Sequence, residues 1–176
     1  MKFNKRLSLL GYLRKQFGVY DIHNAQSIQR YYKELSRDTQ GSAYDADGIS
    51  KLCRVLQKHG RVSVPDAKLL EYDKNISDHL ATINKNRQQE DRIVFKYFQL
   101  LAGFYTEYYL DQVTGRKDAF LKELNMFVRE QQDKHSSRVT YTEFEASNLN
   151  KLAFWMATGS GKTLIMQDRK STRLNS

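Results

Sequence analysis

A chain of 176 residues with 40% apolar and 12% aromatic side chains can fill the core of one domain, and its formal charge of +9 favours a polyanionic partner. The single cysteine, Cys53, excludes an internal disulfide and, with no second thiol to share a metal, reads as a small buried apolar residue in a reducing compartment. No segment reaches the length of a membrane span, and the apolar run at residues 7–13 ends too soon, at Arg14 and Lys15, to be a signal peptide; the expected location is cytoplasmic, with no membrane partner.

Phe3, Leu7, Leu10, Leu13 and Phe17 fall at three- and four-residue steps, which predicts a first helix stopped by Gly18. Asn24 is placed to cap a second helix with Ile28, Tyr31, Tyr32 and Leu35 along one side, ending near Gly41. Residues 41–48 are loop by composition, and either Asp45 or Asp47 caps a third helix carrying Ile49, Leu52, Cys53 and Leu56 before Gly60. Pro65 and Asp66 suit the first turn of a longer helix with Leu69, Tyr72, Ile76, Leu80 and Ile83 on its stripe. A nuclease Pro-Asp element would need an Asp/Glu-x-Lys partner, and none follows at a credible distance.

The polar residues 84–92 either break the chain or continue into the next helix, expected over about residues 91–113 with Val94, Tyr97, Phe98, Leu101, Phe104, Tyr105 and Tyr108. Aromatic rings beside basic residues can stack bases, but helical spacing assigns these to a core. Thr114 and Gly115 mark a turn, and residues 118–132 form a further helix with Leu121, Leu124, Phe127 and Val128 in line. Gln131 and Gln132, in a charged stretch, read as a solvated face. Together these segments predict a mainly α domain of up-and-down helical pairs over residues 1–137.

Residues 133–150 are polar and mark a domain boundary, with a candidate short strand at residues 139–142. Glu143 and Glu145 alternate on an exposed segment and read as solvated rather than as a catalytic pair. His23, His59, His79 and His135 show no metal-ligand spacing.

The chemistry concentrates after that boundary. An apolar strand expected at residues 152–156 delivers the chain to Ala157, Thr158, Gly159, Ser160, Gly161, Lys162 and Thr163. Gly159 and Gly161 let successive backbone N–H groups close around an anion, and a helix entered at Gly161 turns its free N-terminal amides towards the same phosphates. Lys162 supplies charge to the β- and γ-phosphates of ATP, and the Thr163 hydroxyl is placed to ligate Mg²⁺. Leu164, Ile165 and Met166 fit a helix packing back on a sheet. The strict pattern asks for a glycine where this chain has Met156.

The segment Met156-Ala-Thr-Gly-Ser-Gly-Lys-Thr163 resembles motif I of superfamily 2 helicases and translocases, closest to the DEAD/DEAH-box-related group that includes the R (Res) subunits of type III restriction enzymes. The resemblance covers a short part of the chain. It implies an ATP-driven motor on DNA with two RecA-like lobes, in which residues 138–167 begin the first α/β lobe as a β-loop-α unit. Lys162 would then be the catalytic lysine, and residues 1–137 an accessory domain touching DNA or a methyltransferase subunit. No Asp-Glu dipeptide occurs in the chain, nor an arginine-finger motif or a convincing adenine-reading glutamine motif, so these residues alone are not expected to turn over ATP. Residues 168–176 read codon by codon as a common sequencing-library adapter, so the natural sequence is expected to stop at Gln167 as an N-terminal fragment. That tail sets Asp168 against Arg169, Lys170 and Arg173, a net +2 of the +9, which leaves +7 for residues 1–167. Two other readings are a P-loop NTPase acting on something other than nucleic acid, and a helical protein-interaction module.

Overall fold

Six α-helices and no β-strand form among the residues that the computed structural model describes, namely 7–19, 21–39, 43–135 and 141–152. The helices are α1 (Ser8–Gln16), α2 (Ala25–Asp38), α3 (Lys51–Lys58), α4 (Asp66–Asn84), α5 (Tyr97–Gly115) and α6 (Lys117–His135), with 3₁₀ turns at Gln89–Asp91 and Asn148–Asn150. The expectation of a mainly α chain therefore holds for these residues. Phe3, Gly41 and the tail 168–176 lie outside them, as does the greater part of the expected β-loop-α unit.

Local chemistry explains where most helices begin and stop. Gly18 ends α1 with φ +92°, a left-handed angle that suits glycine, and a Cβ there would sit 2.6 Å from His59 Nδ1. Asn24 caps α2 as expected, its Oδ1 accepting the Gln26 and Ser27 N–H groups at 2.9 and 3.2 Å. For α3 the cap is Ser50, whose hydroxyl accepts the Cys53 N–H at 3.0 Å, rather than Asp45 or Asp47. Asp45 is consumed by its own turn, accepting the Asp47 and Ile49 N–H groups at 3.0 Å each while holding Arg54 at 2.9 Å.

Between α4 and α5 the chain breaks. The Asn84 side chain pairs with both backbone groups of Ile93 at 2.8 Å, and Gln99 Oε1 accepts the Lys96 N–H at 2.8 Å, which starts α5 at Tyr97. The expectation of a helix from about residue 91 is thus corrected: Val94 is 62% exposed, and Phe95 takes the core position. At the other end α5 runs through Thr114 and Gly115, and α6 follows after Arg116 alone.

Burial follows the helical stripes. Central to the packing is α5, which contacts α2, α3, α4 and α6, while α1 lies on α6. Phe17 meets the rings of Phe104, Tyr105 and Tyr108 edge-on at 6.4, 5.0 and 5.9 Å, so the α5 aromatics are core, as their spacing predicts. Cys53 is fully buried, and that burial pushes its thiol up to about 12. Gln131 differs from its reading as solvated: it is 5% exposed and bonds to His23, because the segment entering α2 covers this face of α6. Among the described residues no helix is long and apolar enough to cross a membrane.

Candidate functional site

All seven residues of the expected phosphate loop, Ala157, Thr158, Gly159, Ser160, Gly161, Lys162 and Thr163, lie outside the described residues, as do residues 153–156 of the expected strand. The structure describes the approach to that loop up to Leu152, and this approach is tied down residue by residue.

Asn125 of α6 presents its carboxamide to Phe144. Its Oδ1 accepts the Phe144 N–H at 2.7 Å and its Nδ2 donates to the Phe144 carbonyl at 3.0 Å. One side chain thereby satisfies both polar groups of a residue that has no strand neighbour. Gln132, also on α6, accepts the Tyr141 N–H at 2.8 Å, so it too is engaged rather than merely solvated. From α5 the Tyr109 hydroxyl donates to the Leu149 carbonyl at 2.8 Å, and Leu149 is only 3% exposed. Burial raises the Tyr109 pKa, which keeps the phenol protonated and able to donate. The turn Asn148–Asn150 is closed by Asn148 Oδ1 accepting the Glu145 N–H at 2.8 Å, and Leu152 then packs half-buried against the core.

Two further contacts, both exposed, flank the buried Tyr109–Leu149 bond and the half-buried Asn125–Phe144 pair. Arg129 grips Glu143 through Nε and Nη2, at 2.6 and 3.1 Å, and holds its carboxyl below the usual range; Lys117 reaches Asn150 Oδ1 at 3.2 Å. Glu143 is thus one half of a surface ion pair, and Glu145 is exposed. Of the expected strand at residues 139–142, Val139 and Thr140 lie outside the described residues, and Tyr141 and Thr142 are irregular.

No protein-family model, curated protein or solved structure matches the chain.

Elsewhere the described residues offer little chemistry. Ser50 beside Asp73 has the composition of a nucleophile with its base, yet both are buried and the Ser50 hydroxyl is spent capping α3. Along α2, Gln26, Gln29, Arg30, Lys33, Glu34 and Arg37 line a shallow groove, but Arg30 pairs with Glu34 at 2.9 Å and Arg37 with Asp38 at 2.8 Å, which offsets much of its charge. No group of three or more His, Cys, Asp or Glu among the described residues could hold a metal.

The sequence alone did not point to Asn125, Tyr109 or Leu149. Only the polar residues scattered through residues 133–150 hinted that this segment has hydrogen bonds to make.

Proposed function

We propose that residues 157–163 bind the phosphates of ATP with Mg²⁺, and that the chain belongs to an ATP-driven DNA translocase or helicase resembling the restriction R subunits. The observation that carries this reading is Gly159-Ser-Gly-Lys-Thr163 directly after the apolar run that Leu152 begins at the edge of the helical core. The donor set fits the group: glycine-freed N–H groups and the Lys162 ammonium for phosphate oxygens, and the Thr163 hydroxyl for a hard cation. On this reading residues 152–156 and the residues after Gly161 would correspond to the strand and helix of a RecA-like β-loop-α unit. Bound Mg²⁺ would screen phosphate charge. Lys162 orients the β- and γ-phosphates, and the loop amides hold them.

Hydrolysis requires acidic residues that these 176 residues lack as an Asp-Glu pair, so the chain binds ATP without turning it over. The helical residues 1–137 serve as an accessory domain facing DNA or a methyltransferase subunit.

Trp155 is the only tryptophan of the sequence and stands two residues before Ala157, which makes its emission the probe for ATP binding. Titration with ATP and Mg²⁺ is expected to shift that emission. Lys162→Ala should weaken binding by about 10- to 100-fold, the worth of a charge-assisted phosphate contact. Equal affinity in the variant would sink the assignment of the cradle.

A further inference from the structure

We infer that the loop joining α4 to α5, residues 85–96, is a binding surface for the phosphate backbone of duplex DNA, with Lys85, Arg87, Arg92 and Lys96 as its contacts. The inference deepens the reading of residues 1–137 as a domain facing DNA and rests on that part of it alone, not on the phosphate loop.

Positive charge is concentrated here and left without internal partners. The loop sets those four cations against Glu90 and Asp91, a net +2, and residues 85–92 and Lys96 are all exposed. Among the described residues none of the four forms an ion pair. Arg30, Arg54, Arg116 and Arg129 stand differently, each holding a carboxylate at 2.9, 2.9, 2.6 and 2.6 Å. Lys74, Lys122 and Lys134 are unpaired too, but each stands singly on a helix with an acidic residue one turn away, namely Glu71, Asp118 and Glu130.

The fold draws the loop's cations together and holds them. The Asn84 carboxamide pairs with both backbone groups of Ile93 at 2.8 Å, which places Lys85 and Arg92, the next residues inward, on the two sides of one neck. Beyond the neck the Asp91 N–H donates to the Gln88 carbonyl at 3.1 Å to close a 3₁₀ turn, and Arg87 leans across it with Nη1 3.5 Å from the Asp91 carbonyl. Phe95 is 4% exposed and roots the chain in the core, so Lys96 has a fixed place at the start of α5.

Like charges confined in this way raise the local potential, and an external anion relieves it. Because the backbone is already fixed, less ordering opposes binding than for a free basic tail. Asn86, Gln88 and Gln89, exposed among the cations, add amide donors of the kind that contact phosphate and sugar. Duplex DNA suits the loop better than an acidic protein, since it carries a charge about every 1.7 Å of axis, whereas an extended chain of carboxylates places them about 3.3 Å apart or more.

The test uses the whole chain and a fluorescently labelled duplex, read by anisotropy between about 50 and 200 mM salt. Combined Lys85→Gln, Arg87→Gln and Arg92→Gln should weaken binding by about 10- to 100-fold and lower the magnitude of the salt slope by about 2 to 3. Combined Lys74→Gln, Lys122→Gln and Lys134→Gln removes the same charge from scattered sites and should stay within about threefold. In the unaltered protein the duplex should protect Lys85 and Lys96 from acetylation more than Lys122 and Lys134, a readout that stands even where a variant fails to fold. Equal losses in the two triple variants, or equal protection of the four lysines, would reduce the effect to net charge and overturn the loop as a site while leaving DNA binding in place. Competition by poly-glutamate as effective, charge for charge, as by unlabelled duplex would give the loop to an acidic protein and overturn the proposal as well. Absence of duplex binding by the unaltered chain removes the DNA-facing reading and the loop together.

Discussion

Asp73 is held between α3 and α4 at 3% exposure, where Oδ2 accepts the Ser50 N–H at 2.8 Å and Oδ1 accepts the Ser50 hydroxyl. Burial raises its pKa above the ordinary carboxylate value; the bonds from Ser50 pull the other way, Asp45 adds to the rise and Arg54 opposes it. A raised folded pKa means that the native state holds the proton more tightly than the unfolded chain. The stabilisation is then complete below the unfolded value of about 3.9 and is lost as pH rises through the folded one. Asp73→Asn should flatten that loss from about pH 4 upwards, keeping an oxygen for the Ser50 N–H while the hydroxyl turns to accept from the amide. Asp73→Ala strands both Ser50 donors and should cost about 1–3 kcal/mol. Urea unfolding of the three proteins at pH 5 and 7 decides the matter; equal pH slopes in wild type and Asp73→Asn would remove Asp73 as the cause. Nothing in the local pattern flagged this residue. It sits beside Tyr72 on a helix whose stripe was legible, but its enclosure comes from the turn before α3, which periodicity does not see.

At the scale of elements, α4 and α5 approach closely at Gly103. A Cβ there would lie 2.9 Å from Ile76 Cδ1 and 3.1 Å from its Cγ1. Alanine gains about 1 kcal/mol in helix propensity over glycine, but overpacking of this kind costs about 1–3 kcal/mol. Gly103→Ala should therefore destabilise by about 1 kcal/mol, and adding Ile76→Val, which removes Cδ1, should recover most of that. A double-mutant cycle on melting temperature checks it; additive losses would mean that the helices do not meet there. The existence and faces of these helices could be read from the sequence because burial along one side leaves a 3.6-residue imprint on residue type. Their starts could not, since each turns on one side chain with several options: Ser50 took the cap that Asp45 seemed to offer, and Gln99 fixed the start of α5 at Tyr97. The motif at residues 157–163 could be singled out because its residues are contiguous. The contacts that hold residues 141–152 could not, since Asn125 finds Phe144 19 residues away and Tyr109 finds Leu149 40 residues away, distances at which a polar partner leaves no local trace.

For the whole molecule the governing quantity is charge. Twenty-nine Lys and Arg face 20 Asp and Glu, so even with every carboxylate paired an excess of +9 remains to meet an external anion. Many surface cations are already engaged, among them Arg54 with Asp45, Lys68 with Asp111 and Arg116 with Glu123, and such pairs yield to phosphate because exposed ion pairs contribute about 1 kcal/mol or less. Binding to duplex DNA should accordingly be weak, insensitive to sequence and steeply salt-dependent, with a slope of about −0.9 for each phosphate neutralised. The tail 168–176 carries a net +2 of that excess. Its three cations can neutralise at most three phosphates, so deleting it should lower the magnitude of the slope by no more than about 3 and leave the greater part of the affinity in place. Fluorescence anisotropy with a labelled duplex between about 50 and 200 mM salt reads both quantities. A slope near zero would dismiss DNA as the partner of this surface. A slope that vanishes only on removing the tail would assign the binding to residues 168–176 and leave the folded helices without a nucleic-acid role.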